Sequence, residues 1–512
     1  MLVVSICRAT HVAVYVVLSL CSAVLSRNET HVDVYDIVVI GGGPAGVTAA
    51  LRARELGASV ALVERNALGG TCTNDGCAPT RVLAKAARLV RDAEQFADYG
   101  LRGDRPIVDF PAMTVRLNEV VKQLHEKKNI ADKLRDSGVA LIEKAGAAVF
   151  TDPQHIQLGD GTQVEGKQFI ICAGGRARHL NFPGSEFAKT HHDVWSMTTL
   201  PRSVAIIGAS ATGCQLASIF SAFGSQVTLL ELAPRVIPGE DETTSRAVAA
   251  AFERRGIEVI TGMGGVSRIE QHGNSYTLVY KQHESEAELV VDIVLVAVGW
   301  PGNADQLGLE AAGVKSERSY ITVDDSLRTS QPHIFAAGDI TGRMMLVQGA
   351  TDEALIAAQN AALGRHRIHE HRVVPHGGFT DPEYGSVGLT EAKAREQHEI
   401  VVATVPYADL DRAVIDGRTE GFCKLIVSRE THQILGAHVV GEQAVEIVHI
   451  VAAIMQTHST IVRLAELEIA YPTFAAVVGL AARQILREIG AIPASSSWGT
   501  FTASSVAEWE RS

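Results

Sequence analysis

Cysteine is scarce in this chain, and positive charge is not in excess. The 512 residues include seven cysteines, too few and too scattered for a small secreted scaffold held by disulfide bonds. Lysine and arginine number 46 against 58 aspartates and glutamates, which gives a net charge of -12. Because nonspecific binding to nucleic acid needs basic patches that replace counterions, this charge argues against a nucleic-acid partner. The length predicts a globular protein of three or four domains.

The sequence also has no apolar run of membrane-spanning length at its N-terminus. Val12–Leu25 is uncharged and apolar, but it is shorter than the roughly 20 residues that a span needs and has the proportions of a signal peptide. Residues 1–33 are therefore either a targeting or anchoring segment or a dispensable extension. We expect a cytoplasmic protein, with secretion or anchoring left open and membrane contact only if this segment is functional.

The most informative segment is GGTCTNDGCAPTR, which spans Gly69–Arg81. Cys72 and Cys77 have four residues between them, which suggests a redox-active dithiol beside a flavin. A disulfide needs Cα atoms within roughly 7 Å, whereas five residues of regular helix already rise about 7.5 Å. We therefore expect a break in the helix here, at which Gly76 relaxes the backbone. The alternative is a pair of unbonded core cysteines.

A nucleotide-binding pattern precedes this segment. The apolar run Asp36–Ile40 predicts a buried parallel strand, and Gly41, Gly43 and Gly46 follow it in the order G-x-G-x-x-G before a helix. Glu64 ends the next strand 18 residues after the last glycine, close to the spacing at which a carboxylate reaches a ribose hydroxyl. The glycines let the backbone approach a pyrophosphate at the helix N-terminus.

A second copy of the pattern begins about 170 residues later. Gly208, Ser210 and Gly213 take the glycine positions, so Ser210 makes backbone approach to a pyrophosphate less free. Glu231 ends the following strand and would repel a 2′-phosphate, which favours NAD over NADP, although Arg235 lies near. The alternative is that both units are decayed structural copies without ligands.

Two further strand ends fall later in the chain. Val294–Asn303 contains Gly299, and Ile334–Ile340 contains Asp339 directly after a glycine, where a cofactor's polar groups could be met. From Arg372 to about Glu488 the pattern changes to alternating strands and then helices, which predicts a separate α+β unit. A histidine-rich stretch near residues 366–376 suggests metal on composition alone, and we assign no metal site.

Several motifs stand in an order that resembles one family. GGGPAG, GGTCTNDGC, IFAAGD, FTDPE with SVGLTE, and ILGAHVVG make the chain similar to class I pyridine nucleotide-disulfide oxidoreductases, which include dihydrolipoamide dehydrogenase and mercuric reductase. The resemblance implies an α/β fold with two Rossmann-like domains, for FAD and NAD, and a C-terminal α+β dimerisation domain that makes a homodimer. It places the FAD domain at 34–180, the NAD domain at 181–300, a central FAD-contacting segment at 301–370, the dimerisation domain at 371–490 and a tail at 491–512.

The resemblance also implies roles for individual residues. Gly41, Gly43, Gly46 and Glu64 would hold the ADP half of FAD, and Asp339 its ribityl or pyrophosphate region. From the second glycine pattern, Gly208, Gly213 and Glu231 would serve NAD(H), with NADP less favoured, and Gly299 is a further candidate cofactor-binding residue. Cys77 would face the flavin, and Cys72 would exchange with the substrate. Arg81 would supply positive charge to the flavin and sulfur region, since a nearby cation lowers a thiol pKa.

Two departures from the family pattern concern the acid-base groups and the charge pair that follows the cysteines. Disulfide-reducing relatives have a histidine where this chain has Tyr471, and a glutamate where it has Ala476. An unperturbed phenol has a pKa near ~10, so Tyr471 is a poor proton shuttle for thiolate leaving groups. Relatives also pair a lysine after the cysteines with a glutamate, where this chain has Arg81 and Gln215. We expect this exchange to leave uncompensated positive charge near the flavin.

These observations predict an FAD-dependent NADH oxidoreductase that reduces a Cys72–Cys77 disulfide. The partner would be a small-molecule acceptor that needs little proton shuttling, such as a quinone, a metal ion or an activated disulfide. Mercuric reductases usually add a C-terminal cysteine pair, which Ser495–Ser512 lacks. One alternative is a dihydrolipoyl dehydrogenase with an atypical acid-base residue, and another is a non-catalytic flavin-binding scaffold subunit.

Overall fold

The first sheet is built on the apolar strand Val34–Ile40, which opens the part of the chain that the structure describes. The structure is a computed structural model and describes residues 34–370 and 373–491. The expectations for residues 1–33, for most of the C-terminal tail and for His371 lie outside these ranges. Within them, no helix is both long and apolar enough to cross a membrane.

Seven strands form this first sheet, which is mostly parallel. Their spatial order is Ala140–Ile142, Val60–Val63, Val34–Ile40, Gln163–Ile171, His155–Gln157 and Val149–Asp152, with Ile334–Ala336 also pairing on Gln163–Ile171. Only the two pairings that involve His155–Gln157 are antiparallel. Strand Ile334–Ala336, which comes from the central segment, therefore belongs to the sheet of the first unit, and its Ile334 pairs with Phe169.

Alanine-rich helices cover one face of this sheet. Helix Pro44–Glu55 packs against helix Val347–Leu363, and their fully buried alanines include Ala49, Ala53 and Ala357. Small side chains let the two helices lie close to the sheet edge from which the first glycine loop emerges. Helix Val347–Leu363 of the central segment thus packs on the helix that follows the first glycine loop.

The second unit repeats the parallel arrangement with four strands. Their order is Ile293–Val296, Ser203–Ile207, Gln226–Leu230 and Glu258–Ile260, and every pairing is parallel. Beside them lies an antiparallel sheet of Gly265–His272, Ser275–Gln282 and Ser285–Val291. Strand Ile293–Val296 ends before Gly299, so Val294–Asn303 is a strand end followed by a glycine-containing turn, as the sequence predicts.

The C-terminal unit is an antiparallel sheet of five strands with helices packed on it. The strands lie in the order His376–Gly378, Tyr384–Gly388, Ile434–Val440, Phe422–Ser428 and Ile400–Pro406. A two-stranded ribbon, Ser316–Glu317 with Tyr320–Ile321, lies in the central segment. The three units confirm the expected fold class, while the residue boundaries between domains stay predictions.

The structure has fourteen α-helices within the described ranges. In chain order they are Pro44–Glu55, Gly70–Asn74, Cys77–Ala93, Phe110–Lys128, Ile130–Asp136, His191–Val194, Ala211–Phe223, Glu242–Arg254, Val347–Leu363, Glu391–Gln397, Asp411–Ile415, Ala444–Gln456, Ile461–Ala465 and Ala476–Glu488.

A buried ion cluster joins the second unit to the C-terminal sheet. Lys424 Nζ lies 2.8 Å from Asp241 Oδ1, 2.6 Å from Glu391 Oε2 and 3.0 Å from Thr243 Oγ1. Burial raises the pKa of Asp241, but the Lys424 hydrogen bond and others outweigh burial and lower that pKa to about 2. Asp241 also caps helix Glu242–Arg254 by accepting from Thr243 N.

We predict that Lys424→Met lowers the free energy of unfolding by about 3–5 kcal/mol, because it leaves the buried carboxylate of Asp241 without its cation. Denaturant unfolding at neutral pH measures the loss. Since the folded pKa of Asp241 is depressed to about 2 from 3.8, its stabilising contribution is present above the unfolded value and is lost as pH falls through the folded one. The difference in the free energy of unfolding between wild type and Lys424→Met should therefore become smaller in acid.

Lys393→Met at an exposed position of the neighbouring helix is the matched control and should change stability by less than about 0.5 kcal/mol. Equal losses in the two variants would contradict the role assigned to the cluster.

Candidate active site

The segment with the two cysteines breaks its helix between them. Helix Gly70–Asn74 ends before Asp75 and Gly76, and a new helix begins at Cys77. The thiols of Cys72 and Cys77 lie close enough to shift each other's pKa. The predicted helix break is therefore confirmed, and it brings the two side chains together. We call residues Cys72–Cys77 the redox turn.

The two thiols differ in acidity because they share a hydrogen bond. The hydrogen bond from Cys77 lowers the pKa of Cys72 to about 7; burial opposes this, Lys128 lowers the pKa further and Asp339 raises it. The same hydrogen bond, together with burial, raises the pKa of Cys77.

Both cysteines lie in the wall of one large cavity of about 1680 Å³. The same wall contains the first glycine loop, including Gly41 and Gly43, and the start of the second loop at Ser210. The cavity is thus continuous from the first dinucleotide loop, past the redox turn, to the second.

The two glycine loops repeat one backbone geometry. Gly41 and Gly208 have φ of +106° and +101°, and a Cβ on either would lie 2.4 or 2.5 Å from a carbonyl oxygen of the adjacent strand end. A Cβ on Gly46 or Gly213 would lie 1.7 or 1.8 Å from the oxygen of the first glycine in the same loop. These four glycines are required for close backbone packing. Gly41 lines the cavity, whereas Gly46, Gly208 and Gly213 are not among the described residues of its wall.

Gly43 has a different role in its loop. Its φ of −75° is accessible to any residue, and the nearest atom to a Cβ built there is Gly70 Cα at 3.7 Å. Ser210 occupies the matching place with φ of −80° and carries an exposed side chain. Gly43 therefore keeps the cavity wall open at the N-terminus of helix Pro44–Glu55, and Ser210 narrows it at the second loop.

The two acidic residues at strand ends make equivalent hydrogen bonds, but Glu64 lines the cavity, whereas Glu231 is not among the described residues of its wall. Glu64 Oε2 accepts from Gly42 N at 2.6 Å, and Glu231 Oε2 accepts from Ala209 N at 2.6 Å. The second oxygen of each carboxylate accepts from the amide two residues further on, at 2.7 Å for Glu64 and 2.9 Å for Glu231. Each carboxylate thus ties its strand end to its glycine loop.

Asp339 and Gly299 both line the cavity as expected. Burial raises the pKa of Asp339 and Glu353 adds to the rise, while a hydrogen bond with Trp300 opposes it. Gly299 has φ of +128°, a conformation that favours glycine. Asp339 also faces Cys72 closely enough to influence its pKa.

The residues present fit two dinucleotide cofactors. A glycine with no side chain stands at a helix N-terminus that opens on the cavity, where free backbone N–H groups and the helix dipole favour a pyrophosphate. The cavity reaches both such loops and passes the redox turn. FAD would be held by the first loop and Glu64, and a nicotinamide dinucleotide by the second loop.

Arg81 does not take the position expected from the sequence. Its Nη1 donates to Glu383 Oε1 at 2.9 Å, and its guanidinium lies 4.3 Å from the centre of the Phe379 ring. Arg81 is not among the described residues that line the cavity. The expectation of uncompensated positive charge near the flavin is wrong. Gln215 carries no charge, but the buried carboxylate of Glu383 forms an ion pair with Arg81.

Tyr471 also lies away from the redox turn of its own chain. Its side chain is 57% exposed, and its hydroxyl donates to Asp411 Oδ2 at 2.5 Å. It is not among the described residues of the cavity wall. Any contact between Tyr471 and a redox turn would therefore need a second copy of the chain.

Sequence reasoning missed a group of basic side chains around the redox turn. Each of the three side chains after Cys72 contacts at least one of them, and we call the group the basic clamp. It consists of Lys128 on Thr73 (2.6 Å), His125 on Asn74 (2.6 Å), and His192 and His191 on Asp75 (2.6 and 3.2 Å). No short motif signals these contacts, because the partners lie far apart in the sequence.

The histidine-rich stretch does not gather into one site. His369 contacts Asp352 at 2.9 Å, whereas His376 contacts Glu240 at 3.0 Å and lines the cavity. Within residues 34–370 and 373–491, no group of three or more histidine, cysteine, aspartate or glutamate side chains could hold a metal ion.

Comparison with known proteins identifies the family. Residues 35–354 match the family described as pyridine nucleotide-disulphide oxidoreductase, and residues 374–482 match its dimerisation domain. The chain belongs to this family, whose members are FAD- and NAD(P)-dependent enzymes with a redox-active disulfide.

Its relatives include several activities. It is 36% identical to the dihydrolipoyl dehydrogenase of Thermus scotoductus over 81% of this chain and 89% of that protein. It is 32% identical to the mercuric reductase of Staphylococcus aureus over 88% of this chain and 82% of that protein. The HOCl-induced flavoprotein disulfide reductase RclA from Escherichia coli, solved as a Cu(II) complex, is similar in structure, with a TM-score of 0.79, 29% identity, and coverage of 88% of this chain and 100% of that one.

We predict that Gly43→Ala weakens FAD binding without unfolding the protein. The added methyl group has room within the protein but projects into the cavity wall where a pyrophosphate would approach. We expect at least a tenfold loss of FAD affinity, about 1.4 kcal/mol, measured by flavin retention and fluorescence titration of the apoprotein.

Gly46→Ala is the contrasting variant, since its methyl group would overlap a backbone oxygen of the loop. It should lower the unfolding temperature of the apoprotein, which Gly43→Ala should not. Full FAD affinity in Gly43→Ala would contradict the assigned position of the pyrophosphate.

Proposed function

We propose that this family member is an FAD-dependent NADH oxidoreductase that reduces its Cys72–Cys77 pair and passes the electrons to an acceptor that needs little proton shuttling. Quinones, metal ions and activated disulfides are such acceptors. Bound FAD supplies two-electron transfer between a reduced nicotinamide and a disulfide. The protein's own residues position the cofactors and bring the two thiols together.

One observation carries this proposal. The redox turn lies in the wall of a cavity that is shared with both glycine loops. Cys72 and Cys77 follow one another across the helix break and shift each other's pKa, so their thiols lie near each other, as one two-electron couple requires. An unbonded pair of buried core cysteines would instead be separated and enclosed, as Cys172 and Cys423 are.

The second loop supports NADH as the donor. Two backbone amides fix the Glu231 carboxylate at the strand end, where it would meet a ribose hydroxyl and repel a 2′-phosphate. Arg235, which left the cofactor choice open, donates to the carbonyl oxygens of Glu240 and Pro238 at 2.9 and 2.7 Å. Its guanidinium is thereby held by the loop rather than offered to a phosphate.

The C-terminal residues support an acceptor with small proton demands. Tyr471 hydrogen bonds to Asp411 and lies outside the cavity of its own chain, and Ala476 carries no titratable group. A homodimer through the dimerisation domain could bring Tyr471 to the partner's redox turn. Even there, a phenol is a poorer proton exchanger near neutral pH than the imidazole of disulfide-reducing relatives.

A dihydrolipoyl dehydrogenase is the second candidate. Its support is the 36% identity to such an enzyme over most of both chains. The names of other relatives add Hg(II) and Cu(II) to the acceptors worth testing.

Steady-state assays of the holoenzyme with NADH should separate these candidates. We expect kcat/KM for a benzoquinone to exceed that for lipoamide by at least about tenfold, because no imidazole serves the thiolate leaving group of lipoamide. Hg(II) and Cu(II) complete the series, and NADPH replaces NADH as the donor control.

Two variants make the assay decisive. Cys72→Ser should keep anaerobic bleaching of the flavin by NADH but lose acceptor turnover, whereas Tyr471→Phe should change quinone turnover by less than about twofold. Lipoamide turnover that rivals the quinone would favour the dehydrogenase. A flavin that NADH fails to bleach would reject both candidates.

A further inference from the structure

We propose that Glu240 and His376 are positioning residues for the second dinucleotide site, because their ion pair fixes the segment that supports the second glycine loop against the C-terminal sheet. The inference deepens the proposed function, since it takes the second loop as the site of the nicotinamide dinucleotide. It gives a role to His376, a cavity-lining residue of the histidine-rich stretch.

The second glycine loop is held on both sides of one peptide unit. Ala209 N donates to Glu231 Oε2 at 2.6 Å, and Ala209 O accepts from Ile237 N, also at 2.6 Å. Ile237 belongs to the segment Val236–Glu240, which we call the support segment. Residues 210–212, directly after Ala209, line the cavity. A shift of the support segment would therefore move the backbone that meets a pyrophosphate.

The support segment is strained at its centre. Ile237 has φ of +39°, in the left-handed region that a β-branched residue seldom adopts. Such a conformation persists only where surrounding contacts hold it. Behind the segment, Ser245 Oγ donates to Val236 O at 2.6 Å, and the guanidinium of Arg235 donates to two carbonyl oxygens of the segment. The contacts that hold the segment therefore also set the position of the glycine loop.

Glu240 carries the end of the support segment into the C-terminal sheet. Its Oε1 accepts from His376 Nε2 at 3.0 Å, and its Oε2 accepts from Ser386 Oγ at 2.6 Å. His376 and Ser386 are paired directly across the antiparallel strands His376–Gly378 and Tyr384–Gly388. One largely buried carboxylate from the second unit thus bridges a cross-strand pair of the third.

The other partners of this junction are fixed independently of His376. Ser386 Oγ lies 3.1 Å from His438 Nδ1, and burial lowers the pKa of His438, so that ring favours its neutral form. The next acid, Asp241, has its own cation in Lys424. Of these side chains, His376 is the one that belongs to the described cavity wall. It therefore connects the cavity to the support segment and supplies a cation to Glu240.

The charge of the pair follows from its surroundings. The titratable and hydrogen-bonding groups on the elements around it are Arg235 and Asp241 of its own segment, Tyr384 and Ser386 of the adjacent strand, His438 and Lys424 of the two strands beyond, Cys214 and Gln215 of helix Ala211–Phe223, Glu446 and His449 of helix Ala444–Gln456, Gln348 and Asp352 of helix Val347–Leu363, and Glu370. Burial lowers the pKa of His376, but Glu240 outweighs burial and the net shift is upward from 6.5. Burial raises the pKa of Glu240, but His376 and the other partners outweigh it and lower that pKa.

The affinity for a dinucleotide should therefore depend on the charge of His376. Loss of its proton leaves the Glu240 carboxylate without a cation and loosens the support segment. Because the pKa of His376 is raised, full affinity is present below its ordinary value of 6.5 and is lost as pH rises through the raised value. Linkage requires the converse, so binding of a dinucleotide should take up a proton in this range.

The test is calorimetric titration of ADP-ribose into the oxidised, FAD-loaded holoenzyme, between about pH 6 and pH 9 and in buffers of different ionisation enthalpy. ADP-ribose carries the pyrophosphate but no nicotinamide, so it reports on the second loop. In wild type, Kd should rise about fivefold across this range, the lower end of usual couplings. Binding should take up a fraction of a proton within it. His376→Gln should show the weaker affinity at every pH and no such uptake.

Three variants separate the charge from the fold. His376→Lys keeps a cation opposite Glu240 and should retain the tighter affinity without its pH dependence, whereas Glu240→Gln should match His376→Gln. His398→Gln, at an exposed position of the C-terminal unit, is the matched control and should behave as wild type. Thermal unfolding of each holoenzyme variant checks that it is folded.

Three results would overturn the inference. One is equal affinity and equal proton uptake in wild type and His376→Gln. Another is a folded His376→Lys that binds as weakly as His376→Gln, which would reject the role of the charge. The third is a pH effect on the binding of NAD⁺ but not on that of ADP-ribose, which would place His376 in contact with the nicotinamide rather than behind the loop.

Anaerobic bleaching of the flavin by NADH, measured on the same samples, keeps this inference separate from the proposed function. ADP-ribose binding needs neither hydride transfer nor an acceptor. Bleaching together with pH-independent ADP-ribose binding would reject only the positioning role. The predicted pH dependence in an enzyme whose flavin does not bleach would reject only the NADH oxidoreductase.

Discussion

The constraint on which the site depends is the need to bring two cysteines five positions apart into contact. A regular helix cannot do this, so the chain breaks between Asn74 and Cys77 and restarts a new helix at the second thiol. The break removes local hydrogen bonding, and the structure replaces it with long-range contacts. Gly70 packs so closely on Gly43 that a Cβ would lie 2.7 Å from its Cα, and basic side chains hold the turn on its other side.

The redox turn also connects the two dinucleotide units. Each unit uses one acid to tie a strand end to a glycine loop, Glu64 in the first and Glu231 in the second. The redox turn lies against the first loop, and Asp75 binds the two histidines that lead into the second unit. Glu383 of the FTDPE motif pairs with Arg81 and Arg88 and so anchors the following helix to the C-terminal sheet. The turn is thus held by all three units.

Local patterns were enough to predict much of the fold. Both glycine loops stand at strand ends as expected, and the change of pattern near Arg372 marks the start of the antiparallel C-terminal sheet. The charge partners could not be predicted, because they depend on tertiary packing. Arg81 and Glu383 are separated by 302 positions, and Lys128 and Thr73 by 55. Motif spacing therefore predicts a role for Arg81 beside the cysteines but gives no sign of its partner Glu383.

The central claim is that Cys72 and Cys77 form a disulfide couple that NADH reduces within this protein. The most direct measurement is differential alkylation of the air-oxidised holoenzyme, before and after one equivalent of NADH without oxygen, read by mass spectrometry of the peptide that carries both cysteines. The account predicts that neither cysteine is labelled before NADH and that both are labelled after it. Two thiols that are labelled before NADH, or a bleached flavin with the disulfide still intact, would contradict it.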